Sequence, residues 1–210
     1  MDRASLAQAA TEAPVRRPLL RGIHHLALNT DDLRGTLDFY VRVLGMPLVH
    51  GLITGPNAAH RAESRGNPPF DCIPHWFVDM GGDSLLAFFE FPKGRAGKAD
   101  RNTLAAMQHV SFVCGPKRFV EMQERLQRNG VPIVSGPMVV IPPAITSMYF
   151  FDPNGIRLEI TADMAGPEDD LGVTRTCLMD RETMRRELAR VSNDGAWIDS
   201  MLDNLREPDR

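Results

Sequence analysis

Gly22-Ile23-His24-His25-Leu26-Ala27-Leu28-Asn29-Thr30 is answered later in the chain by Met107-Gln108-His109-Val110-Ser111-Phe112-Val113-Cys114. Both stretches alternate as strands do, and each leads into a helical pattern that stops at a glycine two residues before a proline. The first helix ends at Gly45-Met46-Pro47-Leu48 and the second at Gly130-Val131-Pro132-Ile133. His25 aligns with His109, and one inserted residue later Gly45 aligns with Gly130 and Pro47 with Pro132. Each copy closes with a turn and a strand, MGGDSLLAFFEF from Met80 and DPNGIRLEI from Asp152. Laying one turn on the other sets Glu159 against Ala87. A duplicated module of this kind points to two similar halves packed about a pseudo-twofold axis.

Within each copy the pattern reads βαβββ. In the first, Ile23 to Asn29 is a strand, and Asp31 or Asp32 caps a helix running through Tyr40 to Leu44. Strands follow over Met46 to Ile53, His75 to Met80 and Leu85 to Phe91. In the second, the strand Met107 to Cys114 precedes a helix over Arg118 to Gln127. A short strand near Val131 to Val134 comes next, then Ser147 to Phe151 and Ile156 to Thr161. The expected fold class is α+β, a mixed sheet curled into a cup with helices outside. Residues 1 to 20 read as a mobile arm, 21 to 163 as the paired domain (modules 21 to 92 and 106 to 163), and 164 to 210 as a helical extension. Thr54 to Asp71 is too polar for core and long for a connection, the composition of a lid. In the extension Asp180 caps one helix. A last helix carries Trp197, Ile198, Met201, Leu202 and Leu205 as an apolar stripe that would dock on the cup or on a partner subunit.

Composition narrows the function classes. With 24 Lys and Arg against 27 Asp and Glu, the net charge is -3 and the pI near 6.1. Nucleic acid and anionic membranes call for a basic face, and none is written here. No apolar run approaches a membrane span, and the N-terminal MDRASLAQAATEAP lacks a secretory core. Cys72, Cys114 and Cys177 have no close spacing, which fits reduced thiols in a cytoplasm.

Strand parity selects the chemistry. His25, Ala27 and Asn29 share one face while His24 takes the other, and the repeat makes His25 the inward one because it aligns with His109. Glu159 shares its strand face with Arg157 and Thr161. An inward carboxylate is costly unless it is paired or holds a cation. A pairing of Glu159 with Arg157 would be the structural alternative. Two imidazoles and one carboxylate with open positions form the facial triad typical of non-heme Fe(II), and Mn(II), Ni(II) or Zn(II) also suit it. His50 and His60 are read as lying in the long loop and receive no role.

These residues, with the opening HLALNTDDLRGTLDFYVRVLGM from His25, resemble the vicinal oxygen chelate superfamily of glyoxalases, bleomycin-resistance proteins and type I extradiol dioxygenases. The resemblance covers Leu20 to Asp163. It implies paired βαβββ modules with metal ligands at His25, His109 and Glu159. Glyoxalase-like members carry a fourth ligand where this chain has Ala87, which favours the extradiol branch. Met148-Tyr149-Phe150-Phe151-Asp152-Pro153-Asn154-Gly155 followed by Glu159 resembles the extradiol signature, in which Tyr149 would hydrogen-bond a substrate oxygen. The acid/base histidine of that pattern is missing, for Val140, Ile141 and Pro142 fill its window. His75, paired by the repeat with Ser147, is the candidate replacement, and a buried structural imidazole is its alternative.

The expectation is an Fe(II)-dependent extradiol-type dioxygenase taking a catechol or related enol substrate with dioxygen, assembled as a homo-oligomer. A metal-dependent isomerase or lyase with Glu159 as proton shuttle is the second reading, and a binding protein for small aromatic compounds is the third.

Overall fold

The computed structural model describes residues 20, 22–54, 73–91, 94 and 97–208. The expected arm lies outside the described residues apart from Leu20, as does the expected lid beyond Thr54; His60 and Cys72 fall outside with them.

Among the described residues, eight strands form two four-stranded sheets. The first contains β1 (His25–Thr30), β2 (Leu48–Thr54), β3 (Ile73–Gly81) and β4 (Ser84–Glu90) in the order β1-β4-β3-β2. The second contains β5 (Val110–Val113), β6 (Ser135–Ile141), β7 (Ile145–Phe151) and β8 (Arg157–Asp163) in the order β5-β8-β7-β6. In each sheet the first strand lies parallel to the last and the other pairings are antiparallel. The paired βαβββ reading therefore holds, with one separate sheet per module. The second strand of the second module is displaced: residues Val131 to Val134 are not a strand, and β6 begins at Ser135. His109 likewise sits just before β5.

Asp32 caps α1 (Leu33–Leu37), its carboxylate accepting from the Gly35 N–H. The helix then widens into a π-helical stretch over Asp38–Val43, whose Leu44 N–H reaches back five residues to the Phe39 carbonyl. In the second module α2 (Pro116–Arg128) starts with proline, and Glu168 accepts from the Lys117 and Arg118 N–H groups. That contact ties residues after β8 to the module, and the compact unit extends from Gly22 to Leu171 rather than ending at Asp163.

Both helices pack on one face of their sheets and share a single apolar core. Tyr40 and Phe88 from the first module meet Phe150, Leu158 and Ile160 from the second, and the ring of Phe39 lies 6.5 Å from that of Phe150. The opposite face of each sheet carries the residues of interest.

Residues from Gly172 onward belong to a second unit, containing α3 (Val173–Thr176), α4 (Arg181–Ala189) and α5 (Gly195–Asp203). Asp180 and Asp194 cap α4 and α5. Arg181 with Asp203 and Arg185 with Asp199 join the two helices, while Ile198 and Leu202 are buried. Met201 is partly exposed and Leu205 falls after the helix end, so the expected stripe is shorter than its spacing predicts. No described helix is long and apolar enough to cross a membrane.

Candidate metal centre

The register of the sheets reproduces the sequence repeat. Ala27 pairs with Ala87 and Phe77 with Ala87 in the first sheet; Ser111 pairs with Glu159 and Tyr149 with Glu159 in the second. The aromatic partners repeat too. His25 stands edge-on to Phe77 at 5.8 Å, and His109 edge-on to Tyr149 at 5.9 Å. The two modules therefore present faces in matched register, with Ala87 or Glu159 at one place and His75 or Ser147 at another.

On the second sheet His109 Nε2 lies 2.8 Å from Glu159 Oε2. The other ring nitrogen, Nδ1, contacts Gln108 Oε1. An amide oxygen there can accept from Nδ1–H, and in that tautomer the Nε2 lone pair faces a carboxylate oxygen. Two acceptors at that distance require a proton or a cation between them. Cis ligands on a divalent transition metal, each about 2.1 Å from the ion, stand about 3 Å apart, so the pair fits a shared metal.

Glu159 is buried, at 6% exposure. Burial pushes its carboxyl upward, but hydroxyls of Ser147, Tyr149, Ser111 and Thr161 hydrogen-bond the carboxylate and bring it below the usual glutamate value. These hydroxyls support one another: Thr161 Oγ1 lies 2.9 Å from Ser147 Oγ and 3.0 Å from Ser111 Oγ. Burial, then the bond to Glu159 and its charge, raise the Tyr149 phenol. Arg157 does not pair with Glu159; its guanidinium stacks on the Tyr149 ring, 4.3 Å from the centroid.

On the first sheet His25 is exposed and belongs to another group. Its ring is 6.5 Å from that of His75, which stacks on Phe89 at 3.7 Å. His75 Nε2 is buried and has no hydrogen-bond partner among the described residues. Burial foremost, then the charges of His25 and His50, hold the His75 pKa below the usual histidine value. His50, given no role by the sequence, is thus within electrostatic reach of this face. His24 also departs from expectation. Its Nδ1 lies 2.9 Å from His25 Nδ1 instead of turning away, because His24 precedes the strand and escapes its alternation.

Among the described residues no group of three histidine, cysteine, aspartate or glutamate side chains stands close enough to hold a metal ion. The structure brings His109, Glu159 and Tyr149 together, and separately His25 and His75. Sequence reasoning missed Ser111, Ser147 and Gln108 as partners of His109 and Glu159. Strand alternation places both serines on the inward face and carried that signal. Gln108 could have been found only as the counterpart of His24.

The sequence model of the Glyoxalase/Bleomycin resistance protein/Dioxygenase superfamily matches residues 22–160. The chain belongs to this superfamily. Its uncharacterized relative YwkD of Bacillus subtilis (strain 168) is 26% identical over 145 residues, covering 68% of this chain and 97% of YwkD. Among solved structures, a glyoxalase/dioxygenase from Nostoc punctiforme superposes with a TM-score of 0.52 at 22% identity, covering 75% of this chain and all of that one. A glyoxylase/bleomycin resistance protein/dioxygenase domain from Frankia sp. EAN1pec reaches 0.53 at 19% identity, covering 70% of this chain and 96% of its own. At these identities the superpositions speak for the superfamily's fold.

Proposed function

We propose that the protein is a metal-dependent dioxygenase of the extradiol type, acting on a catechol or related vicinal hydroxyl compound at a centre built from His25, His109 and Glu159. The observation that carries this reading is the facing pair His109 Nε2 and Glu159 Oε2, set in a cradle that keeps the carboxylate ionised. Fe(II) held by this set would supply Lewis acidity and electron transfer toward dioxygen; Mn(II), Ni(II) or Zn(II) suit the same donors.

The missing imidazole comes from a second copy of the chain. His25 lies on a matched sheet face with Ala87 where the other sheet has Glu159, and a twofold dimer setting the first sheet of one copy against the second sheet of another makes two identical triads. Edge strands support such an assembly: Met138, Val139, Val140 and Ile141 of β6 are 38% to 55% exposed, and Leu48 and Val49 of β2 are each 53% exposed.

Each side chain then has a task. Tyr149 holds Glu159 and offers its hydroxyl to a substrate oxygen. His75 brings an unpartnered Nε2 from the face that carries His25 and takes or returns the proton of a substrate hydroxyl. Phe77 and Phe89 give that face an aromatic wall. A glyoxalase-like isomerase would need a carboxylate base. Ala87 supplies none, and four hydroxyls make Glu159 a poor one.

Mixing two defective chains tests the arrangement. His25→Ala and His109→Ala homodimers should each lose metal and oxygen uptake with a catechol. Their mixed dimer holds one intact triad and should recover about one metal per dimer and part of the uptake. Failure of the mixture, with both chains folded and dimeric, would refute the shared centre. Anaerobic isomerisation without oxygen uptake would refute the dioxygenase assignment.

A further inference from the structure

The pseudo-twofold that relates His25 to His109 also relates two seams between the modules, and the seams are built differently. One is filled by a buried polar network. Tyr40 donates to Asp152 Oδ2 over 3.1 Å, Thr30 donates to Asn154 Oδ1 over 2.8 Å, and Asn154 donates to Thr36 Oγ1 over 3.1 Å. By the offsets that align His25 with His109, Gly45 with Gly130 and Ala87 with Glu159, the counterparts in the other seam are Cys114 for Thr30, Glu121 for Thr36, Arg125 for Tyr40, Met80 for Asp152 and Gly82 for Asn154. Nothing there can repeat the network.

At that second seam there is a cavity of about 380 Å³, within the range of small-molecule sites. Its apolar walls include Met46, Met80, Phe112, Cys114, Met122 and Ile160, and Arg118 and Glu121 also line it. Arg125 is occupied in bracing the seam, donating to the Val43 and Arg42 carbonyls over 2.6 and 2.7 Å. Arg118 is held loosely, 3.8 Å from Glu168, with most of its side chain exposed.

We infer that this seam is a second small-molecule site, on the helix-bearing side of the sheets, that takes a compact aromatic compound bearing a hydroxyl group. Three flexible thioethers, a thiol and a phenylalanine suit the faces of an aromatic ring, since polarizable sulfur packs well against π systems. A ligand hydroxyl can donate to the Glu121 carboxylate and accept from the Arg118 guanidinium. The cavity size admits one or two fused rings.

The test uses the full chain labelled with [methyl-¹³C]methionine and titrated with 2-naphthol. The methyl signals of Met46, Met80 and Met122 should shift along one saturation curve, while Met138 and Met201, exposed on other elements, should not move. The same curve should appear in Glu159→Gln, which separates this site from the candidate metal centre. Arg118→Ala, a surface change with little risk to folding, should weaken binding by at least several-fold, and naphthalene should bind several-fold less tightly than 2-naphthol. Unmoved methyls at millimolar 2-naphthol, or shifts shared with Met138 and Met201, would overturn the site. Equal binding of naphthalene, or no effect of Arg118→Ala, would overturn its polar half.

Discussion

His109 holds Nε2 2.8 Å from Glu159 Oε2 while Nδ1 of the same ring is turned to Gln108. Gln108 is thus placed to accept from Nδ1–H of His109, the tautomer that leaves the Nε2 lone pair available to a metal.

Gln108→Ala should accordingly weaken divalent-metal affinity by roughly 10- to 100-fold, the usual loss for a hydrogen-bonding partner of a ligand, without abolishing binding. Competition against a calibrated chelator checks this. His109→Ala should lose the metal outright; equal affinities for wild type and Gln108→Ala would mean the glutamine is a bystander.

Removing the His75 imidazole should leave metal content intact and cut turnover by roughly 10² to 10⁴. The basis is its buried Nε2, which has no hydrogen-bond partner among the described residues. Steady-state oxygen uptake with metal analysis on the same sample separates the two effects. An unchanged rate assigns proton movement to Tyr149 or solvent.

The polar seam should govern stability. Tyr40→Phe leaves a buried acceptor on Asp152 with one donor fewer and should cost about 1–3 kcal/mol in urea unfolding. Asp152 itself gives a pH signature. Burial foremost raises its carboxyl, and hydrogen bonds from Asn154, the Ile156 N–H and Tyr40 offset only part of that. The folded chain thus binds this proton more tightly than the unfolded chain. Its contribution is full below the unfolded value of about 3.9 and is lost as pH rises through the raised folded value. Urea titrations should show that loss in the wild type and a flatter profile in Asp152→Asn. A profile unchanged by the substitution would remove Asp152 as its source.

Cys114 should be chemically quiet. Burial, then the charge of Glu168, raise its thiol to about 11, with Arg118 pulling the other way. At pH 8 only about a thousandth of it is thiolate, so labelling by a disulfide reagent should be much slower than at exposed Cys177. Mass spectrometry of the labelled peptides distinguishes them, and equal rates would mean the seam opens to solvent.

The amino-acid sequence alone determined the duplication, the parity of the strands and the pairing of Ala87 with Glu159, because a repeat of period-two strands preserves which residue faces which side. That is why the sheet registers agree with the alignment of His25 on His109 and Phe77 on Tyr149. It also placed Asp180 at a helix start, since capping is local chemistry. Local pattern failed where a neighbour decides the outcome. Val131 to Val134 read as a strand, but of these only Val134 bonds to β7, its N–H donating to the Tyr149 carbonyl, and β6 begins at Ser135; His24 precedes β1 and so escapes its alternation. Tertiary structure alone decided how the modules meet. Their helix-bearing faces bury Phe39, Tyr40 and Phe150 in one core, while the parallel pairing of β5 with β8 inside the second sheet sets His109 beside Glu159 and His25 stays with His75 on the first sheet. Sequence periodicity fixes the face a side chain occupies, whereas the partner of that face is set by the burial of apolar area between elements distant in the chain.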